Sequence, residues 1–378
     1  MTLQSLMLRQ FRNHSESRFA FGGGTNVFLG RNGQGKTNVL EAISFLCLTK
    51  SFYAGADATA IQSGTSMFEV EGSFLSDVGV QHRVRIAYDE QMRQKKFSIN
   101  ASEITRLSEV IGLFPIVVLS PENNAITFGA PSERRKFVDM VMSQSSKAYI
   151  EDMMEYKRVL RQRNRILSDA EGRDVSPVLA PWTEMLIERG ASIIHKRCQF
   201  LTEFIPYVQS AYDSVTRNGE RPGLRYMPQI DVASSMDRHA VMEQLRRLAE
   251  RKKFDERRTG STLFGPQRDD VEFAINDLPL RDYASQGQHK TYLIALKVAE
   301  YRYLRERCAE VPIILLDDVF SELDDRRSTQ LLGLLEEMGQ TFITTTSDRV
   351  FHGALDWNGD NRKIYIAHGT VAGEEEGV

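Results

Sequence analysis

The chain has 378 residues, 41% of them hydrophobic and 26% charged, enough to bury a sizeable core in two domains or in one domain with a large insertion. A formal charge of -3 and a pI near 6.2 exclude a global attraction for polyanions, so any nucleic-acid contact has to come from a local basic patch. Cys47, Cys198, Cys308 and seven scattered histidines lack metal-ligand or redox spacing, and no window approaches ~18 uninterrupted apolar residues. The expectation is a soluble, cytoplasmic protein with no disulfide, structural metal or membrane span.

The opening MTLQSLMLRQFRN lacks the basic region, apolar stretch and small-residue site of a leader, and reads as strand over residues 3–8. A second strand-like run covers 17–21. The Gly22-Gly23-Gly24 turn follows, and Val27-Phe28-Leu29 then leads into a glycine-rich loop and a helix predicted over 36–48. Strand patterns recur at 68–74, 81–88, 96–99 and 116–119. After Ser120-Pro121 the apolar period becomes helical, at 131–170 and again at 181–209. One helix there, over 143–168, is Met-rich on one face and Arg/Lys-rich on the other; a second basic helix covers 240–258. Strand and turn patterns resume at Leu263, then a helix at 288–308, a buried strand at 313–316, a helix at 326–338 and a strand at 341–345. The acidic tail 373–378 is expected to fray. No internal repeat is present, and the insertion is too short and irregular for a long coiled coil.

Two distant segments carry the chemistry. GRNGQGKT at 30–37 has the spacing of a phosphate-binding loop, in which Gly30, Gly33 and Gly35 let the backbone of Arg31, Asn32 and Gln34 curl until its N–H groups face phosphate oxygens. Lys36 would reach the β- and γ-phosphates of ATP, and Thr37 would ligate Mg²⁺ through its hydroxyl. The preceding strand and following helix separate this loop from a chance glycine turn.

Near the other end, Ile313-Ile314-Leu315-Leu316 is apolar on both faces, as a buried parallel strand should be, and delivers Asp317 and Asp318 to its C-terminal edge. Asp317 would hold Mg²⁺ through water, and Asp318 would orient or deprotonate the attacking water. Without the loop, this would read as a strand ending in a solvated acidic turn. The segment Ala284-Ser285-Gln286-Gly287-Gln288 precedes a helix, so it is either a simple serine cap or a second phosphate contact.

In combination the motifs describe an ATP-binding cassette head: an α/β fold with a mixed β-sheet and flanking helices, residues 1–124 and 259–378, interrupted by an inserted helical lid at 125–258. In such heads the signature serine serves the nucleotide of another copy, so Ser285 would act in trans, and Ser285, Gly287 and Gln288 would lie at an ATP-dependent homodimer interface. The catalytic set is Lys36, Asp318 and the second copy's Ser285.

Basic clusters in the insertion are Arg134 and Arg135; Lys157, Arg158, Arg161, Arg163 and Arg165; and Arg246, Arg247, Arg251, Lys252, Lys253, Arg257 and Arg258. They are either solvated helix faces or phosphate contacts giving salt-sensitive DNA binding. No aromatic ladder for single strands is evident.

These segments resemble the RecF family, bacterial recombination and repair ATPases related to SMC-type heads. The resemblance covers essentially the whole chain. It rests on LMLRQFRN, GRNGQGKTNVLEAI, LSPENNAITFGAPSERRKFVD, VLRQRN, FGPQRDD and LLDDVFSELD. It implies slow, DNA-dependent ATP hydrolysis and dimerisation with ATP on DNA at single-strand gaps or junctions. With RecO and RecR, such a protein would promote RecA loading, replication restart and SOS induction. Arg12 and Asn13 match an N-terminal motif near the nucleotide, and Asp324 matches the family's dimer-facing loop, so the resemblance implies that it too lies at the homodimer interface.

The sequence departs from the family in having Gln267 where histidine is common and Thr127 where an apolar residue is expected. Thr344-Thr345-Thr346 offers no switch histidine, and no Q-loop glutamine is assignable. A transporter motor is disfavoured by these absences and by Asp rather than Glu at 318. An OLD-type nuclease is disfavoured because about fifty residues after Asp324 leave no room for its nuclease domain. A nucleotide-gated DNA clamp with negligible turnover remains the alternative.

Overall fold

Leu3, Leu6, Leu8 and Phe11 are buried along β1 (Thr2–Phe11), while Gln4, Ser5 and Arg9 face solvent. The three-residue step from Leu3 to Leu6 breaks the strand period of two, and the register shift between Leu3 and Ser5 restores both leucines to one face. The computed structural model describes residues 1–53, 55–170, 173–216, 219–231, 237–352, 355–357 and 359–376.

After β1 come β2 (His14–Ala20), β3 (Thr25–Leu29), α1 (Lys36–Leu48), β4 (Met67–Leu75), β5 (Gln81–Asp89), β6 (Gln94–Ile99), β7 (Ser102–Glu103) and β8 (Ile116–Leu119). Helices α2 (Asn124–Phe128), α3 (Pro131–Ser145), α4 (Lys147–Ser168) and α5 (Ser176–Val215) precede β9 (Pro222–Met227) and α6 (Arg238–Thr259). Then follow β10 (Asp270–Ile275), β11 (Leu278–Pro279), α7 (Leu280–Tyr283) and α8 (Gln286–Arg307). The remaining elements are β12 (Ile313–Asp317), α9 (Asp325–Leu335), β13 (Thr341–Thr345), β14 (Arg362–Ala367) and β15 (Thr370–Glu376). The chain divides into two compact units, residues 1–124 with 296–378, and residues 125–295.

The first unit has two six-stranded sheets. One, ordered β15-β14-β3-β13-β12-β8, is parallel except for the antiparallel edge strand β15. Its strands β3, β8, β12 and β13 are buried at every position, which explains the unbroken apolar runs of β8 and of residues 313–316 in β12. The other, ordered β2-β1-β4-β5-β6-β7, is antiparallel and alternates.

Helix α1 contacts strands of both sheets and is buried almost throughout, from Val39 to Leu48. It lies close on β4, because a Cβ at Gly72 would sit 2.6 Å from a Leu46 methyl. Phe11, Phe45 and Phe68 meet edge-on there at 5.3–5.7 Å between centroids.

In the second unit, α5 packs against α4, α6 and β9, and β9, β10 and β11 form a small antiparallel sheet. Its interior is unusually polar. Arg197 binds both oxygens of Asp139 at 2.8 and 3.1 Å and donates to the Pro266 carbonyl at 2.9 Å. Burial opposes the Arg197 charge, but the oxygens of Tyr149, Tyr226 and Asp139 outweigh it and hold the guanidinium well above its ordinary value. Arg163 pairs with Glu256 at 2.6 Å, both side chains buried. Gln267 accepts the Tyr156 hydroxyl and donates to the Phe264 carbonyl at 2.7 Å.

Three expectations differ from the structure. Residues 259–295 belong with the second unit rather than the first, because β10 pairs with β9 over six residues, Asp270 opposite Met227 through Ile275 opposite Pro222. The helix expected over 143–168 is broken at Ser146, which leaves helical geometry and caps α4 by accepting Tyr149 N–H. The tail does not simply fray, since residues 373–376 continue β15 and pair with β14; residues 377–378 lie outside the described residues.

Candidate functional site

The parallel sheet gathers the site at its C-terminal edge. Strand β13 lies between β3 and β12, with Thr345 opposite Leu29 and Thr344 opposite Asp317. The residues after Leu29 and the acidic end of β12 therefore open on the same side, the edge where α/β sheets place ligands.

The loop from β3 to α1 turns at Gly33, φ 78°, and Gly35, φ 107°, where side chains are rarely tolerated. At Gly35 a Cβ would also lie 2.5 Å from Asn13 Oδ1 and 2.8 Å from His14 Nε2. The loop is pinned from two sides. His14 Nε2 meets the Gly35 carbonyl at 3.1 Å, and Asn38 donates to Asn13 Oδ1 at 2.7 Å. From the β14–β15 turn, His368 N–H donates to Gln34 Oε1 at 2.6 Å and Gly369 N–H to the Gln34 carbonyl at 2.9 Å. Burial lowers the His14 pKa, partly offset by the Gly35 and Gly369 carbonyls.

Helix α1 starts at this loop with no side-chain cap and no acidic residue in its first turn. Its leading N–H groups and positive dipole end therefore receive no capping anion from α1 itself. Lys36 is 7% exposed and folds back to donate to the carbonyls of Gly30 at 2.7 Å and Arg31 at 2.9 Å. Burial pushes its ammonium below the ordinary value, against the pull of Asp318 and Asp317. An uncapped helix start and a buried lysine beside it fit a phosphate chain.

Asp317 is 2% exposed and accepts three hydroxyls. Thr37 and Thr344 donate to Oδ1 at 2.6 and 2.7 Å, and Tyr53 to Oδ2 at 2.5 Å. Burial first, then the Asp317 hydrogen bond, holds the Tyr53 phenol well above its usual range, so it stays protonated and donates. Asp318 adopts the left-handed region, φ 49°, fixed by its N–H on Thr344 Oγ1 at 2.9 Å. The hydroxyl of Thr37 and the carboxylate of Asp317 form a hard oxygen pair suited to Mg²⁺, which takes few protein ligands when phosphate oxygens complete its shell. No cluster of three or more His, Cys, Asp or Glu residues fit to hold a metal occurs among the described residues.

Sequence reasoning missed Tyr53, Thr344 and the pinning residues His14 and His368. Thr344 had a signal, a polar side chain near the end of a buried strand, whereas nothing in Ser51-Phe52-Tyr53 marks the phenol. Strand β8 ends at the same edge with Ser120, Pro121 and Glu122, and no glutamine stands there.

Ser285 lies in the second unit and forms a reciprocal cap with Gln288. Its N–H donates to Gln288 Oε1 at 2.8 Å, and its Oγ accepts Gln288 N–H at 3.2 Å. Gln288 also donates to Glu220 at 2.8 Å. Gly287 lies in the first turn of α8. Asp324 is exposed and caps α9, accepting Arg327 N–H at 2.9 Å. That bond, then the Arg327 charge, keeps its carboxyl below the usual range.

The model of the RecF/RecN/SMC N terminal domain matches residues 2–368. The chain belongs to the RecF family. A relative from Chloroherpeton thalassium, named DNA replication and repair protein RecF, is 44% identical over 355 residues, 93% of this chain and 96% of its own length. One from Salinibacter ruber with the same name is 42% identical over 361 residues, 94% and 87% of the two chains. The solved recombination mediator protein RecF-ATP in the RecFOR pathway superposes with a TM-score of 0.90 at 30% identity, covering 99% of this chain and 97% of that one. An Smc head bound to the C-winged helix domain of ScpA shares the fold, with a TM-score of 0.58 at 14% identity over 100% and 98% of the chains. The expected α/β ATPase-head fold with a long helical insertion is therefore the fold of this RecF-family chain. Among the described residues no helix is long and apolar enough to cross a membrane.

Proposed function

We propose that this RecF-family protein is an ATP-driven DNA-binding switch of recombinational repair. The observation that carries the reading is the Thr37 hydroxyl on Asp317 at 2.6 Å beside the uncapped start of α1. The backbone N–H groups of residues 31–37 would hold the phosphates, and Lys36 would exchange its two loop carbonyls for phosphate oxygens. Mg²⁺ held by Thr37 and, through water, by Asp317 would neutralise charge on the β- and γ-phosphates. Asp318 would orient the attacking water and take its proton.

Ser285 and Gly287 from a second copy, with Gln288 and Asp324 at the same interface, would close over the nucleotide, so ATP stabilises a homodimer. The curated relatives are named DNA replication and repair proteins, and the solved RecF is described in the RecFOR pathway with ATP. These support a cytoplasmic role at single-strand gaps with RecO and RecR, promoting RecA loading, replication restart and SOS induction.

Sedimentation with and without ATP and DNA tests the switch. Wild type should gain mass with ATP and disperse on hydrolysis, and Lys36→Arg should remain a monomer. A wild-type mass independent of nucleotide would overturn the mechanism. DNA-stimulated ATPase activity that vanishes in Asp318→Asn supports slow turnover. A wild type that dimerises with ATP yet shows no turnover is a nucleotide-gated clamp instead.

A further inference from the structure

Many basic residues of the second unit are tied to acidic partners, while Lys157 and Arg161 on α4 are exposed without one among the described residues. Arg134 is bound to Asp270 at 2.8 Å, Arg163 to Glu256 at 2.6 Å and Arg158 to Glu155 at 2.6 Å. On α6, Arg246 is held by Glu184 at 2.8 Å and by Glu243, Arg257 by Asp174 at 2.7 Å, and Lys253 lies 3.7 Å from Glu250. These charges serve the fold or neutralise a neighbouring helix.

Arg247 and Arg251 differ. Both are exposed, and neither has an acidic partner among the described residues. They lie four residues apart on one helix face, and the same line continues through Phe254 and Arg258, at i+7 and i+11. Among the described residues Arg258 reaches only Asp255, on its own helix, at 3.4 Å. Phe254 is 77% exposed, although α6 packs through Val241, Leu245, Leu248 and Ala249 on its other side. The line spans about 16 Å at ~1.5 Å per residue.

Three guanidiniums match phosphates, and an uncovered ring among them matches the face of an unpaired base. A duplex would engage the guanidiniums and leave the ring in water. We infer that the α6 face formed by Arg247, Arg251, Phe254 and Arg258 is a contact surface for single-stranded nucleic acid, the arginines taking phosphates and Phe254 stacking on a base. The inference rests on the reading that the protein binds DNA.

Fluorescence anisotropy of the full chain with ATP and Mg²⁺ tests it, using labelled oligothymidylate and a labelled blunt duplex. Phe254→Ala should weaken oligothymidylate binding about tenfold and change duplex binding less than about twofold. The double variant Arg247→Gln, Arg251→Gln should flatten the slope of log K against log salt by about 1.4 for the single strand, ~0.7 per lost phosphate contact. Arg246→Gln, whose charge is already paired, should bind as wild type does. Thermal melting confirms that each exposed-face variant is folded. Wild-type affinity in the Phe254 and double variants overturns the inference and leaves the DNA-binding reading intact. Wild type that binds neither DNA overturns both. Variants that keep oligothymidylate but lose an acidic protein partner assign the face to protein and also overturn the inference.

Discussion

The Tyr53 hydroxyl donates to Oδ2 of Asp317 at 2.5 Å, while Thr37 and Thr344 occupy Oδ1 of the same carboxylate. Tyr53 thereby occupies the oxygen that Thr37 and Thr344 leave, and it would compete there with a hydrogen bond from the water of a hydrated cation. A net hydrogen bond is worth ~1 kcal/mol, so Tyr53→Phe should lower the Mg²⁺ concentration for half-maximal ATP binding by about fivefold. Calorimetric titration of Mg²⁺ at fixed ATP measures this. A requirement for more Mg²⁺ would mean that the phenol supports the cation rather than competing with it.

Gly35 has two reasons to be glycine, its φ of 107° and the 2.5 Å left between a Cβ and Asn13. Gly35→Ala should displace the loop from Asn13 and His14 and weaken ATP binding at least tenfold, with a stability loss of ~1–3 kcal/mol. At Gly33 no heavy atom lies within 4 Å of a Cβ, so Gly33→Ala carries only the conformational cost and should be milder. Nucleotide titration of the two variants side by side checks the order.

The elements that were legible in the sequence are those whose pattern is set locally. Strand β12 is buried on both faces and α1 on all sides, and their apolar runs end at Asp317 and begin at Lys36. Strand β9 was not legible, because it alternates weakly, Gly223-Leu224-Arg225-Tyr226, and gains its strand form only by pairing with β10 far downstream, Tyr226 opposite Val271, in the region where strand patterns had been expected to resume. The same holds within the site. Tyr53 and Asp317 are 264 residues apart, and no local period encodes their meeting. Basic clusters were the least legible, since Arg163 and Arg161 look alike in sequence yet one is buried against Glu256 and the other exposed.

Arg197 is the hub of the second unit's polar interior, with Asp139, Tyr149 and the Pro266 carbonyl as partners. Truncation leaves Asp139 and the phenols facing an uncompensated gap. Arg197→Ala should cost about 3–5 kcal/mol, and Arg197→Lys, which cannot reproduce the two-pronged contact, should recover less than half of it. Urea unfolding followed by circular dichroism gives both values. A loss below ~1 kcal/mol for the alanine variant would show that water replaces the guanidinium.

His14 makes the site sensitive to acid. It is buried, its Nδ1 lies 2.9 Å from Ser17 Oγ, and Ser17 Oγ also lies 2.8 Å from the Gly369 carbonyl. Burial lowers its pKa below the ordinary 6.5, although the Gly35 and Gly369 carbonyls oppose that. The unfolded chain therefore takes up the proton first as pH falls. Stability contributed by neutral His14 is complete above pH ~6.5, declines between ~6.5 and the lowered folded value at up to ~1.4 kcal/mol per pH unit, and is constant below it. Because the imidazole rests on the Gly35 carbonyl, the loop that leads into Lys36 should loosen over the same interval. Urea midpoints at pH 7.5, 6.5 and 5.5, compared between wild type and His14→Gln, isolate the effect. Wild type should lose more stability than the variant across the lower step, and parallel profiles would remove His14 from the account.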